Sequence, residues 1–471
     1  MAETLCVWFH NLRRKESAML DQVLPEAIRL VFAGFAAAMT RPTFQRFVII
    51  AVGAILCRGR RTITRITWLM QLYAEGDMSD FHRVFSRAPW DPTDLAKVLI
   101  LMILDWVPDE WIKIAIDDTT VLHKGKHVYG KGCHRDAARS TDSAITYKYG
   151  HKWVVLAMVV RLPFTERPWA LPILTALARS KKEDDKENRR HKTTGDLARI
   201  LMRRLMDLFP ERKFIFLGDG GYASHKLASF AGNKRRRDRA VLVSLFHGDA
   251  VLHKPPGKYS GKGAPQKKGD RLPTPEEVVQ HRRGSKYTVK WYGNTEREVR
   301  LISDVGHWYK SGQGLVKVRW VHVHDLTGHR DDAYFYSTDP DMPPETIVEL
   351  YTWRWNIEVT FQETKEHLGL ETTRNWCKKS TLRTFPCLLG LYSVVTLIFL
   401  EHRKSNGQVN RATGPGYCRE HITFSDALAT VREILLLRLF AQPPEKVPCK
   451  KSKANQRNWI KHLITLLAQA I

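Results

Sequence analysis

The chain has 471 residues, 43% hydrophobic and 10% aromatic, a length for two to four domains at roughly 100–200 residues each and a composition far from that of disordered chains. Lysine plus arginine outnumber aspartate plus glutamate by 75 to 49, a net charge of +26, which points to a polyanionic partner through counterion release. No membrane partner is expected. The longest apolar run, 386–400, falls short of the roughly 20 residues that span a bilayer, and the apolar stretch 6–9 precedes Arg13, Arg14 and Lys15, the reverse of an export signal.

The seven cysteines are scattered without a Cys-x-x-Cys pair, as in a reduced intracellular protein. Cys418 and His421 have zinc-like spacing but no second pair nearby.

Residues 1–105 read as a helical N-terminal region, with apolar stretches at 27–38, 47–57 and 95–104. Between the second stretch and the next amphipathic segment lies Arg58-Gly59-Arg60-Arg61-Thr62, a basic turn with a threonine suited to cap a helix. Such a turn serves a helix-turn-helix, with Arg60 and Arg61 against phosphate, and equally a solvated corner between packed helices.

From 106 to 246 the pattern is α/β. Alternating Trp111-Ile112-Lys113-Ile114-Ala115-Ile116 is expected to end as a strand at Asp117-Asp118, 153–162 is a β-branched run, and 213–217 stops at Gly218-Asp219. A helix is expected over 195–208 and a mixed-charge loop over 180–192. Residues 247–340 read as a β-rich block, with alternating runs at 287–292, 299–302, 316–323 and 333–337. Pro343-Pro344 then opens a helix expected to run unbroken over 345–366, since no Gly occurs before Gly369. Residues 341–405 hold this helix and the apolar run. Residues 406–471 are a helical, basic C-terminal region with a helix at 425–439 and a Lys-rich stretch at 450–453.

Three acidic positions lie where a metal site would form: Asp117 or Asp118, Asp219, and Glu358. Strand-end carboxylates face the loops in which α/β sheets place their sites, and oxygen-only ligands suit Mg²⁺ or Mn²⁺, two of which can clamp a phosphodiester displacement. Taken singly, each aspartate reads equally as a helix cap. At about 100° per residue, a continuous helix would put Tyr351, Arg354, Glu358 and Lys365 on one stripe, with Leu350, Trp353, Ile357 and Phe361 packed beside it. Arg354 and Glu358 also satisfy a simple i,i+4 pair.

Tyr351-x2-Arg354-x3-Glu358-x6-Lys365, with Ile116-Asp117-Asp118-Thr119 and Leu217-Gly218-Asp219-Gly220-Gly221-Tyr222 before it, resembles the Y-R-E-K signature of bacterial insertion-sequence DDE transposases. The resemblance covers roughly 110–405. It implies an RNase H-like mixed sheet with flanking helices, interrupted by a β-rich insertion domain, and two Mg²⁺ or Mn²⁺ ions on Asp117, Asp219 and Glu358, with Asp118 as fallback for Asp117. It further implies DNA contacts by Tyr351, Arg354 and Lys365 and dimeric action on terminal inverted repeats and target DNA in the bacterial cytoplasm, on the nucleoid. Lys124, Lys126, Lys131 and His134 are further candidates near phosphate, or a solvated basic loop; Lys234 to Arg237 add a basic stretch. A catalytically inactive DNA-binding descendant and another metal-dependent nuclease or phosphatase are the competing readings.

Overall fold

The computed structural model describes residues 24–441 apart from 72, 137–139, 142, 260, 262, 407–412, 415–416 and 419–420. The basic residues at 13–15 and 450–453 lie outside the described residues. The described residues form two compact units, one made of those within 24–106, 121–150 and 361–441, the other of those within 107–120 and 151–360.

The first unit is largely helical. It begins with α1 (Glu26–Ala33), α2 (Arg41–Leu56), α3 (Ile63–Leu69), α4 (Met78–Ser86) and α5 (Pro92–Leu104). Their starts are written in the sequence: the side chains of Thr62, Asp77 and Asp91 accept from the first turns of α3, α4 and α5, and Pro92 stands where no N–H is needed. Every residue from Phe47 to Cys57 is buried, as expected of a helix apolar on all sides.

α12 (Lys378–Asn406) and α13 (Phe424–Ala441) come from the far end of the sequence. α12 packs on α1, α4 and α5, and α13 packs on α12 and α2. The expected N-terminal and C-terminal regions thus share one unit. By length and composition α12 is long enough to cross a membrane, because polar turns extend the apolar run at both ends. Its apolar window is nevertheless 78% buried within the protein, which makes it a core helix.

The second unit is built on a mixed sheet. The strands that lie wholly or mostly in it are β1 (Trp111–Leu122), β3 (Tyr147–Val160), β4 (Trp169–Ala178), β5 (Lys213–Gly218), β6 (Ala240–Leu245), β7 (Leu252–His253), β8 (Ser285–Lys290), β9 (Glu296–Lys310), β10 (Gly314–Asp325) and β11 (Ala333–Ser337). The sheet order is β3-β1-β5-β6-β11-β10-β9-β7, with β4 on β3 and β8 on β9. β1, β5 and β6 pair in parallel, and β11, β10 and β9 continue antiparallel. The strands of the β-rich block therefore extend the sheet that holds β1 and β5, and the expected boundaries at 246 and 340 fall inside one unit.

In the first unit, β2 (Gly132–Arg135) pairs with the start of β3. β2 and β4 carry no alternating pattern; Pro172 and three alanines interrupt β4, which is held by its length of pairing with β3.

The second unit's helices are α6 (Lys181–Lys186), α7 (Thr194–Leu208), α8 (His225–Ala231), α9 (Pro275–His281) and α10 (Pro344–Trp353). α6 corrects the expected loop at 180–192: Ser180 caps a short turn of charged residues. α11 (Asn356–His367) runs from the second unit into the first.

The expected continuous helix over 345–366 is therefore two helices. Between them Arg354 and Trp355 bond back only three residues, to Tyr351 O and Thr352 O at 3.2 Å each. This is 3₁₀ geometry, a tighter turn that shifts helical phase. No proline or glycine marks the break.

Thr360, fully buried, donates from Oγ1 to the β4 carbonyl of Ala170 at 2.7 Å and to Asn356 O at 3.1 Å, tying α11 to the sheet. Thr360→Val keeps the shape and removes the donor. It should cost about 1–2 kcal/mol in urea unfolding; an unchanged stability would show that the bond does not hold the helix.

Candidate active site

Asp117 and Asp219 are brought together by strand register. β1 pairs with β5 up to Ile116 opposite Gly218, so the next residue on each chain is an aspartate, on parallel strands about 4.8 Å apart. β5 ends there. β1 does not, which corrects the expected strand end at Asp117-Asp118: Thr119, Thr120 and Val121 are β-branched and carry the strand on to Leu122.

Gly218 keeps the approach open. A Cβ there would meet the Tyr222 Cβ at 2.9 Å. Asp219 then leaves the strand and caps a short 3₁₀ turn, its Oδ1 accepting from Gly221 N at 2.9 Å, while its carbonyl accepts from Ser244 Oγ at 3.0 Å.

The two aspartates of β1 face different partners. Asp117 is 9% exposed. Its Oδ2 accepts from Arg354 Nη1 at 3.0 Å and its Oδ1 from Asp118 N at 2.7 Å. Asp118 instead accepts from the Tyr222 hydroxyl at 3.1 Å and pairs with Lys152 at 2.9 Å. Arg354 is buried, and its Nη2 donates to Glu358 Oε1 at 2.9 Å. One guanidinium thus bridges Asp117 and Glu358. The Arg354–Glu358 contact survives the helix break because it needs only four residues of spacing.

Tyr351 is buried with its ring 4.3 Å from that of Phe335, and Arg354 lies 5.8 Å from its centre. Burial pushes its hydroxyl up to about 12, opposed by Arg354 and reinforced by Tyr292 and Asp219. Tyr292 is raised by burial, with Arg354 and Arg330 opposing and Glu358 adding. Trp355, 47% exposed, meets the Tyr292 ring edge-on at 6.0 Å. Leu350, Ile357 and Phe361 are buried as expected, and Trp353 is half-buried with Arg161 over its ring at 4.6 Å.

The remaining expected residues are placed elsewhere. Lys365 falls in the first unit, half-buried; burial lowers its amino group against Glu371. The break between α10 and α11 means that the single-stripe geometry does not hold along its length. Lys124, Lys126 and Arg60 are exposed residues of the first unit. Lys131 there folds back onto Gly125 O at 2.9 Å, and His134 is half-buried on β2.

Arg61 corrects an expectation. It is 5% exposed, and its guanidinium donates to the carbonyls of Arg58, Gly59 and His367. Its charge is spent on main-chain carbonyls inside the unit.

Tyr222, Lys152 and Tyr292 join the site although sequence reasoning does not single them out. Tyr222 stands inside the Leu217–Tyr222 motif; Lys152 and Tyr292 have no local pattern and are found only through tertiary contacts.

Among the described residues no group of three or more His, Cys, Asp or Glu side chains is arranged to hold an ion; Arg354 stands between Asp117 and Glu358. The donor set nevertheless fits a hard divalent cation. Asp117, Asp219 and Glu358 offer only oxygen, and with Asp118 they are offset by Arg354 and Lys152 alone in these contacts. Burial pushes the Asp117 carboxyl up to about 7, Arg354 opposes this, and the Asp219 and Asp118 carboxylates add to it. Positive charge placed here would relieve that crowding.

A family model described as "DDE superfamily endonuclease" matches residues 34–298, more than half of the chain. The matched stretch contains Asp117 and Asp219 and ends before Glu358. No curated protein matches the sequence. A solved structure, the piggyBac transposase synaptic complex with hairpin DNA, is similar at 11% identity over 97% of this chain and 84% of that one, with a TM-score of 0.41.

An unfolded aspartate titrates near 4, so between about pH 4 and pH 7 the folded chain keeps a proton on Asp117 that the unfolded chain has lost, and stability falls as pH rises through that window. Asp117→Asn cannot titrate. Relative to wild type it should gain more than about 1 kcal/mol between about pH 4.5 and 7.5 in urea unfolding; a constant difference would show an ordinary carboxylate.

Proposed function

Because the chain belongs to the DDE superfamily endonucleases, we propose that it is the DNA transposase of an insertion sequence, binding the ends of its element and carrying out metal-dependent strand cleavage and strand transfer into target DNA. The observation that carries this reading is the meeting, within one unit, of Asp117 and Glu358 on one guanidinium, with Asp219 beside Asp117 in strand register. In this reading the parallel strands β1, β5 and β6 with their helices are an RNase H-like core, and the β-rich block is its insertion.

Asp117, Asp219 and Glu358 hold two Mg²⁺ or Mn²⁺ ions, with Asp118 as the fallback for Asp117. When bound, the ions supply alignment and charge neutralisation for the attacking and leaving oxygens of an in-line displacement. The chain's own cations do the rest. Arg354, a planar fork, suits two phosphate oxygens at once, and Tyr351 supports it from its buried side. Lys152 and Tyr222 fix Asp118 and with it the course of β1. No covalent link between protein and DNA is required.

Lys365, Lys124, Lys126 and Arg60 are proposed DNA contacts. The protein acts as a dimer on paired element ends in the bacterial cytoplasm, on the nucleoid.

Asp219→Asn or Glu358→Gln should lower Mg²⁺- or Mn²⁺-dependent cleavage of a duplex copied from the DNA flanking the gene by at least about a hundredfold, the scale of losing electrostatic stabilisation of a transition state, while retaining DNA binding. Wild type inert with both ions on that duplex, while still binding it, would overturn the transposase reading and favour the DNA-binding one.

A second surface bears on the same proposal. In the second unit Arg236 lies between burial and the like charges of Arg203, Arg199 and Arg235, which together lower its guanidinium. Lys234, Arg235 and Arg237 beside it are exposed. Crowded like charges without buried acid partners favour a phosphate backbone. Arg203→Glu with Arg235→Glu should weaken binding to duplex DNA and lower the slope of log affinity against log salt by about one for each phosphate no longer neutralised, measured by fluorescence anisotropy at several salt concentrations. An unchanged slope would remove this face from the DNA path.

A further inference from the structure

We infer that Arg354 gates the ion site: its guanidinium holds Asp117 and Glu358 together until a DNA phosphate draws it away, so that ions and nucleic acid bind as a coupled event. This rests on the reading of Asp117, Asp219 and Glu358 as ion ligands.

Three observations carry it. The guanidinium takes one oxygen from each of two carboxylates, at 3.0 and 2.9 Å, and an ion that used those oxygens would have to displace it. Magnesium demands near-ideal octahedral geometry and sheds water reluctantly, so it competes poorly with a preformed bridge whose Arg354 and Asp117 side chains are buried. Second, the pairing leaves Arg354 incompletely satisfied: its Nε is buried and has no hydrogen-bond partner. A phosphate held bidentately on the edge that carries Nε would supply the partner that this arrangement of the two carboxylates leaves out.

Third, Arg354 sits in the 3₁₀ turn between α10 and α11, bonded back only three residues. The turn is a local element able to change its bonding without unwinding either helix. The guanidinium lies 5.9 Å from the ring of the exposed Trp355, which meets Tyr292, and Arg330 lies over Tyr292 at 4.6 Å.

Removal of the guanidinium by phosphate frees both carboxylates for ions, and ions holding the carboxylates free the guanidinium for phosphate. Each ligand therefore raises the affinity for the other by the same factor, typically between about 5- and 150-fold.

The test is equilibrium Mn²⁺ binding to the full-length chain, read from the loss of the free-ion electron paramagnetic resonance signal, for wild type, Arg354→Gln and Arg354→Lys, with thermal unfolding followed in parallel. Lysine keeps the charge but lacks the fork that spans two carboxylates. A bridging gate is therefore opened by either substitution, and simple charge repulsion only by glutamine. Without DNA, both variants should bind Mn²⁺ at least about tenfold more tightly than wild type. Adding the duplex copied from the flanking DNA should bring wild type toward them.

Equal affinity in all three proteins overturns the gate and leaves the ion site standing. A gain in the glutamine variant alone, or no tightening of wild type by the duplex, also overturns it. Folded proteins that bind no Mn²⁺ at all overturn the ion site and the gate together. Should the glutamine variant fail to fold, the lysine variant decides.

Discussion

The second unit depends on how it accommodates negative charge inside a sheet. Four carboxylates, of Asp117, Asp118, Asp219 and Glu358, gather near the point where β5 ends, and three of them act electrostatically on the same hydroxyl, that of Tyr222. Uncompensated, such a group would neutralise itself by taking up protons or would destabilise the fold by several kcal/mol. Arg354 and Lys152 offset part of this charge by dividing the labour, and the proton that Asp117 keeps up to about pH 7 offsets more. One cation bridges Asp117 and Glu358, and the other, with Tyr222, holds Asp118. The direction in which each aspartate of β1 is read follows from this division.

Strand register is what makes the crowding unavoidable. Parallel pairing puts Ile116 beside Gly218, and every later residue on the two chains inherits that alignment. Glycine at 218 has a local reason, since a Cβ would strike Tyr222, and Tyr222 in turn reaches Asp118. The sequence Gly-Asp-Gly-Gly-Tyr is thus one mechanical unit: a strand end without a side chain, a carboxylate that caps its own turn, and a tyrosine that returns to the neighbouring strand. A residue slip between β1 and β5 would turn Asp117 to the opposite face and separate it from Arg354.

Much of this is legible in the sequence. The apolar alternation of 111–116, the β-branched runs, the capping threonines and aspartates and the opening prolines of α10 all express local physics, and the corresponding elements form. The strand end at Asp117 and the continuous helix over 345–366 mislead for one reason. In both the usual punctuation residues fail as a guide: β1 runs on through two aspartates because β-branched residues follow them, and the helix breaks without proline or glycine. Arg61 misleads differently. A basic residue in a basic turn looks solvated, and only the carbonyls that close around it show otherwise. Lys152 and Tyr292 lie far along the chain from the aspartates and carry no periodic signature, so only the fold supplies them.

The break at Arg354 connects these points. In a straight helix an arginine and a glutamate four residues apart form a surface pair worth a few tenths of a kcal/mol. Here the 3₁₀ turn rests Arg354 among Asp117, Tyr351 and Glu358, with its side chain 7% exposed. Burial changes the arithmetic. A buried charge pair is costly to disrupt by deleting one partner, yet contributes little over an apolar pair of the same shape, so stability alone gives weak grounds for such a cluster in a sheet whose buried side chains are mostly apolar. What the cluster does provide is a charged centre whose partners can be exchanged, on a turn whose hydrogen bonds are the least regular of the two helices it joins.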